Sequence, residues 1–261
     1  MRAGATARDL QARRRFASEV SRCVSVRAKP DLSETFKTLA RLDRDTEAVR
    51  VGIGLPAAVP GLDGAVLGPW AVQSERVGFT SLGVIDQLVY DNLDPLVALA
   101  AAAARTGRIE LLTTVLNVGY RRNPTVLAKQ IASVDQLSTR RLTVGLALGG
   151  WPEDYAASEA PLSGRGATFD ATLVAMRKVW RGKVSGSSGP MPALPEGHPR
   201  LLLGGLVAAS FDRVAAHADG WVAPSFGMAA LTSGAKHGGT QGDTLRRFLQ
   251  VGGMVWTGWD G

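Results

Sequence analysis

The chain has 261 residues, 45% of them hydrophobic, enough for one large or two modest globular domains with a substantial core. Its formal net charge of +7 sits mostly at the N-terminus, where the first 50 residues hold 12 Lys/Arg against 7 Asp/Glu and leave about +2 for the remainder. That segment shows no DNA-binding pattern, and no apolar run approaches the roughly 18 residues of a membrane span, so neither a nucleic-acid nor a membrane partner is expected.

A single cysteine, Cys23, allows no internal disulfide, and no apolar signal segment follows Arg13, Arg14 and Arg15, so a cytoplasmic protein is the expectation. His198, His217 and His237 are scattered, and no metal centre is expected. Residues 1–48 read as a basic extension, flexible or helical, residues 49–231 as the folded core and residues 232–261 as an atypical tail.

From Val51 onward, short β-type runs alternate with amphipathic segments, the signature of a parallel sheet wrapped by helices. VGIGLP from Val51 to Pro56 predicts the first strand, and Val66 to Val77, with Val66, Trp70 and Val77 on one face, predicts a helix closed by Gly78. SLGVID from Ser81 to Asp86 predicts a second strand. Asp94 and Pro95 form an N-cap and first helical position, with Gly107 closing that helix. Ile109 to Asn117 is a β-branched strand, and Asn123 with Pro124 starts a helix through Leu127, Ile131, Val134 and Leu137. Arg141 to Leu148 is the fourth strand, and Phe169, Leu173, Met176 and Trp180 mark a helix over 166–181. Ser185 to Pro199 reads as a loop; Leu201 to Gly205, Ala208 to Ala218 and Asp219 to Pro224 then give strand, helix and strand. Beyond Leu231 the rhythm fails, although Phe248 to Trp259 keeps a β-like composition.

Two apolar runs end in glycine pairs, LALGG at Gly149 and Gly150 and LLLGG at Gly204 and Gly205. A glycine pair after a parallel strand removes Cβ atoms that would hold a ligand away, and a helix start just downstream favours an anion. LLLGG followed by a helix with Ser210 in its first turn matches a phosphate cradle, though without GxGxxG spacing. Each pair is equally well explained as a tight turn. Trp151 and Tyr155 offer flat side chains to an aromatic ring, or pack over the sheet edge. Glu153 and Asp154 either cap a helical turn or do acid/base work. Asp86 and Asn117 end strands at the same predicted layer and are candidate catalytic groups, or they satisfy loop backbone. Arg121, Arg122 and Arg165 are candidate partners for phosphate or carboxylate, or solvated charges. No Ser-His-Asp arrangement stands out, and Lys129 and Lys178 fall on predicted helices, which disfavours an aldolase or isomerase.

The runs GFTSLGVIDQL, TTVLNVGYRRNPTVLAKQIASVDQLSTRRLTVGLALGGWPEDY, SGRGATFDATLVAMRKVWRG and PRLLLGG followed by ADGWVAP resemble the luciferase-like monooxygenase superfamily. That group includes bacterial luciferase-type flavin enzymes and coenzyme F420-dependent reductases and dehydrogenases. The resemblance implies an α/β fold of TIM-type (β/α)8 barrel class, with reduced FMN or F420 at the C-terminal ends of the strands and a small organic substrate. It places the loop with Gly149, Gly150, Trp151 and Tyr155 around the cofactor, Gly204 and Gly205 near its phosphate and Asn117 near its ring, with Arg165 a further cofactor-binding candidate and Asp86 and Asn117 candidate catalytic residues. In related enzymes the aspartate matching Asp86 is commonly followed by His; here Gln87 follows. Such barrels often pair as homodimers, and a flavin-using version would draw reduced cofactor from a separate reductase. Residues 1–48 have no counterpart in the family core, and about 30 residues remain after Leu231 where two further βα units are expected. The barrel is therefore expected either to use leader and tail as substitutes or to be incomplete at the C-terminus, in which case the chain is a truncated, non-catalytic flavin-binding remnant.

Overall fold

A computed structural model describes residues 52–191 and 193–222, together with the backbone of residues 249–250. The basic segment 1–48 with Cys23, and the rest of the tail 232–261 with His237, lie outside the described residues.

The first strand, β1, spans Gly52–Gly54. A 3-10 turn at Gly64–Val66, whose N-cap Asp63 accepts from the Ala65 N–H, leads into helix α1, Leu67–Arg76. Of the expected face Val77 is buried and Trp70 packs partly buried against the core, whereas Val66 is exposed and Leu67, Ala71 and Ser74 take the inner positions. Trp70 is partly buried and donates its indole N–H to the Gly54 carbonyl at 3.0 Å.

Strand β2 is Ser81–Val84, and helix α2 is Pro95–Ala103. Asp94 caps it as expected, accepting from Leu96 and Val97 at 2.9 and 3.1 Å. Gly107 does not close this helix, which ends one turn earlier at Ala104. The Gly107 N–H instead donates to Glu75 of α1, as do those of Arg108 and Ile109 at 2.6 and 2.8 Å. One carboxylate thus fixes the entry to strand β3, Glu110–Asn117. Burial alone would raise the Glu75 pKa, but the three N–H donors outweigh it and hold the carboxyl below its ordinary value. Glu75→Ala is expected to cost about 1.5–3 kcal/mol in urea unfolding, the range for hydrogen bonds to charged groups. A lowered folded pKa means the unfolded chain binds more protons as pH falls. The contribution is therefore present at neutral pH and lost as pH falls through the folded value, so the stability difference between parent and variant should shrink in acid.

Helix α3, Pro124–Leu137, is capped by Asn123 and buries Leu127, Ile131 and Val134, while Leu137 is exposed. Strand β4 is Leu142–Ala147, followed by a short helix α4, Pro152–Ala157, that the sequence suggested only as a turn. Helix α5, Arg165–Trp180, buries Phe169, Leu173, Met176 and Trp180 as the spacing predicts. The Trp180 indole donates to the Ala128 carbonyl at 2.9 Å, joining α5 to α3. The predicted loop contains a small antiparallel pair, β5 at Ser185–Gly186 and β6 at Gly189–Pro190. Strand β7, Arg200–Gly204, helix α6, Ala208–His217, and strand β8, Gly220–Val222, complete the alternation.

The main sheet has the order β1-β2-β3-β4-β7-β8-β9, and every neighbouring pair is parallel. Strand β9, Leu249–Gln250, comes from the tail and pairs with Trp221 and Val222. The tail thus supplies a strand where the sequence rhythm had failed. Among the described residues no pairing joins β9 back to β1. The fold is a parallel α/β sheet of TIM-barrel type. Alternate residues face its two sides: Leu201 and Leu203 join the large core beneath the helices, while Leu202 packs with Leu112 and Val222 on the other face.

Candidate active site

Parallel βα units gather their loops and helix N-termini at the C-terminal ends of the strands, and the expected site residues lie there. Asn117 is the last residue of β3, and Asp86 lies two residues beyond β2. The structure brings them together. The Asn117 backbone N–H donates to the Asp86 carboxylate at 2.8 Å, and its side-chain amide donates to the Asp86 carbonyl at 2.6 Å. Arg121 closes the cluster, with Nη2 at 3.1 Å from Asp86 Oδ1 and 3.4 Å from Asp94.

The Asp86 side chain is only 2% exposed, so the pair is buried. Burial raises the Asp86 pKa, against the opposing pull of Arg121 and the Asn117 N–H. Burial would lower that of Arg121, but the charges of Asp86 and Tyr120 and then Asp94 reverse the effect and hold it charged. Tyr120, whose ring lies 5.3 Å from the Arg121 guanidinium, has a buried hydroxyl with no partner of good hydrogen-bond geometry among the described residues. Its pKa is pushed far up by burial and then by the Asp86 charge. Arg121 and Asp86 were both expected candidates, but their pairing was not expected, and Tyr120 carries no local signal in the sequence.

The loop after β4 is braced from below. Tyr155 is buried and donates its hydroxyl to the Leu148 carbonyl at 2.6 Å. Arg165 donates to the Gly149 carbonyl at 3.0 Å, with its guanidinium 5.9 Å from the centre of the Tyr155 ring. Both side chains therefore hold the loop that carries Gly149, Gly150 and Trp151. Gly149 has φ +78°, and a Cβ there would lie 3.1 Å from Asn117, whereas a Cβ on Gly150 would meet nothing within 4 Å. Trp151 is 45% exposed. Glu153 and Asp154 lie in the first turn of α4, and the buried Asp154 accepts the Val89 N–H at 2.8 Å.

Gly205, after β7, has φ +135°, and a Cβ on it would fall 2.3 Å from Ser210 Oγ. A Cβ on Gly204 would make only ordinary contacts with Ala147 and Val115. Helix α6 begins just beyond, and its N-cap is Val207, with no side-chain cap. The helices after β2 and β3 are capped by Asp94 and Asn123; α4 begins with Pro152 and its Asp154 N–H bonds the Trp151 carbonyl, while α6 has no side-chain cap and, with the Ser210 N–H bonded to the Val207 carbonyl at 2.8 Å, offers its N–H groups at Ala208 and Ala209 to an external acceptor. This donor set fits a phosphate at α6, and the clear space at Gly150 beside Trp151 fits a flat ring. Arg122 is exposed.

A cavity of about 330 Å³ lies at the opposite end of the sheet, against the first residues of β3, β4 and β7. Three of its arginines are tied into the structure: Arg141 donates to the Ile109 and Thr106 carbonyls at 2.7 and 2.9 Å, Arg140 pairs with Asp135, and Arg200 stands 3.6 Å from Glu110. Among the described residues no group of three or more His, Cys, Asp or Glu could hold a metal, and no helix is long and apolar enough to cross a membrane.

The parallel βα order, with glycine turns at the C-terminal ends of the strands, defines an α/β scaffold of barrel type. A family model for luciferase-like monooxygenase matches residues 57–233, and the chain belongs to that family, whose members are oxidoreductases or monooxygenases. The chain spans about half the length of the curated relatives it matches: a Mycobacterium tuberculosis protein is 35% identical over 141 residues, 50% of this chain and 49% of its own. An F420-dependent glucose-6-phosphate dehydrogenase of Amycolatopsis mediterranei is 34% identical over 102 residues, 37% of this chain and 29% of that protein. Among solved structures, the monooxygenase RslO1 from Streptomyces bottropensis has a TM-score of 0.62 at 26% identity, covering 76% of this chain and 67% of that one. The FMN-bound oxygenating constituent of 3,6-diketocamphane monooxygenase from Pseudomonas putida has a TM-score of 0.61 at 19% identity, covering 78% and 64%, a likeness of fold.

Proposed function

We propose that the chain binds FMN or coenzyme F420 at the C-terminal ends of its strands and serves oxidation or reduction of a small organic substrate. The observation that carries this reading is the pairing of Gly205, at φ +135° beside Ser210, with an α6 N-terminus that has no side-chain cap. The N–H groups there would receive the cofactor phosphate, and Gly149, Gly150 and Trp151 would flank its ring, with Asn117 behind Gly149. When bound, the ring supplies hydride transfer or, for the flavin, oxygen activation. The protein's own part is orientation and exclusion of water. Asp86, buried against Arg121, acts as a positioning residue that fixes Asn117 and the end of β3, and Tyr155 with Arg165 fixes the Gly149 loop. Gln87 carries no titratable proton, so the position after Asp86 offers no proton-transfer group. A flavin-using version would take reduced cofactor from a separate reductase.

Titration of the purified chain with FMN and with F420, each oxidised and reduced, followed by ring absorbance and fluorescence, tests this. Saturable binding of one of them in the low micromolar range is expected, about 8 kcal/mol of affinity. No binding of either at high micromolar concentration would sink the reading. Binding without turnover of any carbonyl or alcohol substrate would favour the second reading, a non-catalytic cofactor-binding barrel, which the absence of a β9-to-β1 pairing among the described residues supports.

A further inference from the structure

We infer that the cavity at the N-terminal ends of β3, β4 and β7 is a second ligand site, one that receives the phosphate group of a small molecule away from the cofactor end. The inference goes beyond the redox reading and does not depend on it: the six residues of β4 put about 20 Å between the two ends of the sheet. At about 330 Å³ the cavity falls within the range of small-molecule sites. Four arginines, Arg108, Arg140, Arg141 and Arg200, line it against three carboxylates, Glu110, Asp135 and Glu196. Three neighbouring strands, spaced about 4.8 Å apart, bring the arginines together. Arg108 lies two residues before β3, Arg141 directly precedes β4 and Arg200 opens β7.

Their charges are unevenly balanced. Arg140 pairs with the buried Asp135, and this pair holds a turn in which Thr139 and Arg140 take φ +55° and +66°, costly for residues other than glycine. Arg141, the next residue, spends all five of its N–H donors on neutral oxygens: Nε on Ser138, Nη1 on Ile109 and Thr106, Nη2 on Ala103 and Thr106. Its charge is partly buried, and among the described residues no carboxylate stands at ion-pair distance from it. Burial pushes its pKa down, and the charge of Glu75 pulls it back. A guanidinium withdrawn from water without a counter-ion is costly, and an anion in the cavity would supply one. Hydrogen bonds to that anion would come from its neighbours. Arg200 is 40% exposed and stands 3.6 Å from Glu110, too far for a hydrogen bond, so its donors stay open. The Arg108 side chain is exposed and makes no contact ion pair among the described residues. Two such planar forks suit a phosphate group, which accepts from several directions at once. Asp135 is neutralised by Arg140, and Glu110 accepts from the Thr143 hydroxyl, which leaves the exposed Glu196 as the carboxylate that opposes an anion.

The test is isothermal titration calorimetry of the full chain with inorganic phosphate and with glycerol 3-phosphate, in chloride buffer at constant ionic strength. Saturable binding is expected, weakened about five- to tenfold in Arg108→Gln and in Arg200→Gln, the loss of a charge-assisted hydrogen bond. Glu196→Gln, which removes a like charge, should strengthen it about two- to threefold. All three side chains are exposed, so the urea midpoints should stay near that of the parent and the losses are not a folding artefact. Gly205→Val guards against phosphate bound at the α6 N-terminus and should leave the affinity unchanged. Tighter binding of glycerol 3-phosphate identifies a phosphomonoester as the ligand, and equal binding identifies free phosphate. No saturation at tens of millimolar phosphate overturns the inference, as does affinity that survives both arginine substitutions or is lost only in Gly205→Val. Preference for succinate over phosphate also overturns it. Failure of the redox reading shows separately, as absence of FMN and F420 binding, because phosphate binding is read without either cofactor.

Discussion

Replacing Asp86 by alanine is expected to lower the free energy of unfolding by about 3–5 kcal/mol, the cost of leaving a buried charge without its partner. Arg121 would keep only Asp94, at 3.4 Å and at a more exposed position. Asn117 would lose the acceptor for its backbone N–H and keep only the bond from its side-chain amide to the residue-86 carbonyl. The double variant Asp86→Ala/Arg121→Met should recover part of the loss, because an apolar pair of similar volume needs no charge compensation. Urea denaturation of the parent, the two single variants and the double variant checks this, and strictly additive losses would count against a coupled pair.

The same carboxylate predicts a pH dependence. Burial holds the Asp86 pKa above its ordinary value in the folded protein. Between the unfolded and folded values the native state binds more protons than the unfolded chain, so stability contributed by this group falls as pH rises through that window. Asp135, also raised by burial, acts in the same direction, while Glu75 and Asp170 act in the opposite one. Comparison of Asp86→Asn with the parent across mildly acid to neutral pH isolates the Asp86 part: the falling component should be missing from the variant.

The largest functional effect is expected at Gly205. A valine there would be forced to φ +135° with its Cβ 2.3 Å from Ser210 Oγ, so the turn into α6 must shift. Cofactor affinity should fall by at least about tenfold, roughly 1.4 kcal/mol, with a stability loss of about 1–3 kcal/mol. Gly150→Leu separates clearance for a ligand from mere turn geometry. A side chain at Gly150 meets nothing within 4 Å, so stability should be nearly unchanged. Lost cofactor binding in that stable variant would show that a ring approaches Gly150, and unchanged binding would remove Gly150 from the site.

Much of the architecture was legible along the chain. Asp94 with Pro95 and Asn123 with Pro124 announced two helix starts that the structure realises with the expected N-cap hydrogen bonds. The spacing of Phe169, Leu173, Met176 and Trp180 gave the buried face of α5, and the motif order gave the family. These signals are local: a cap, a proline or a 3.6-residue period acts within a few residues and survives whatever surrounds it. Where the local signal was thin, as at Val66 or Gly107, the tertiary contacts of α1 and Glu75 decided instead.

The candidate site shows the same division. Sequence alone pointed to the glycine ends of β4 and β7, because glycine pairs after apolar runs are visible without neighbours. It left Asp86 with an open role, since nothing along the chain says that Arg121, 35 residues away, turns back to pair with it. Nor could it show that Asp154 reaches Val89 across 65 residues. Such pairings depend on the register between parallel strands and on how far each loop extends past its strand end, quantities set only when the whole sheet assembles. The order of βα units, the caps and the glycine turns are thus written in the sequence; which carboxylate braces a loop, and which cation is left without a counter-ion, only the tertiary structure decides, because burial and charge pairing are properties of the assembled fold.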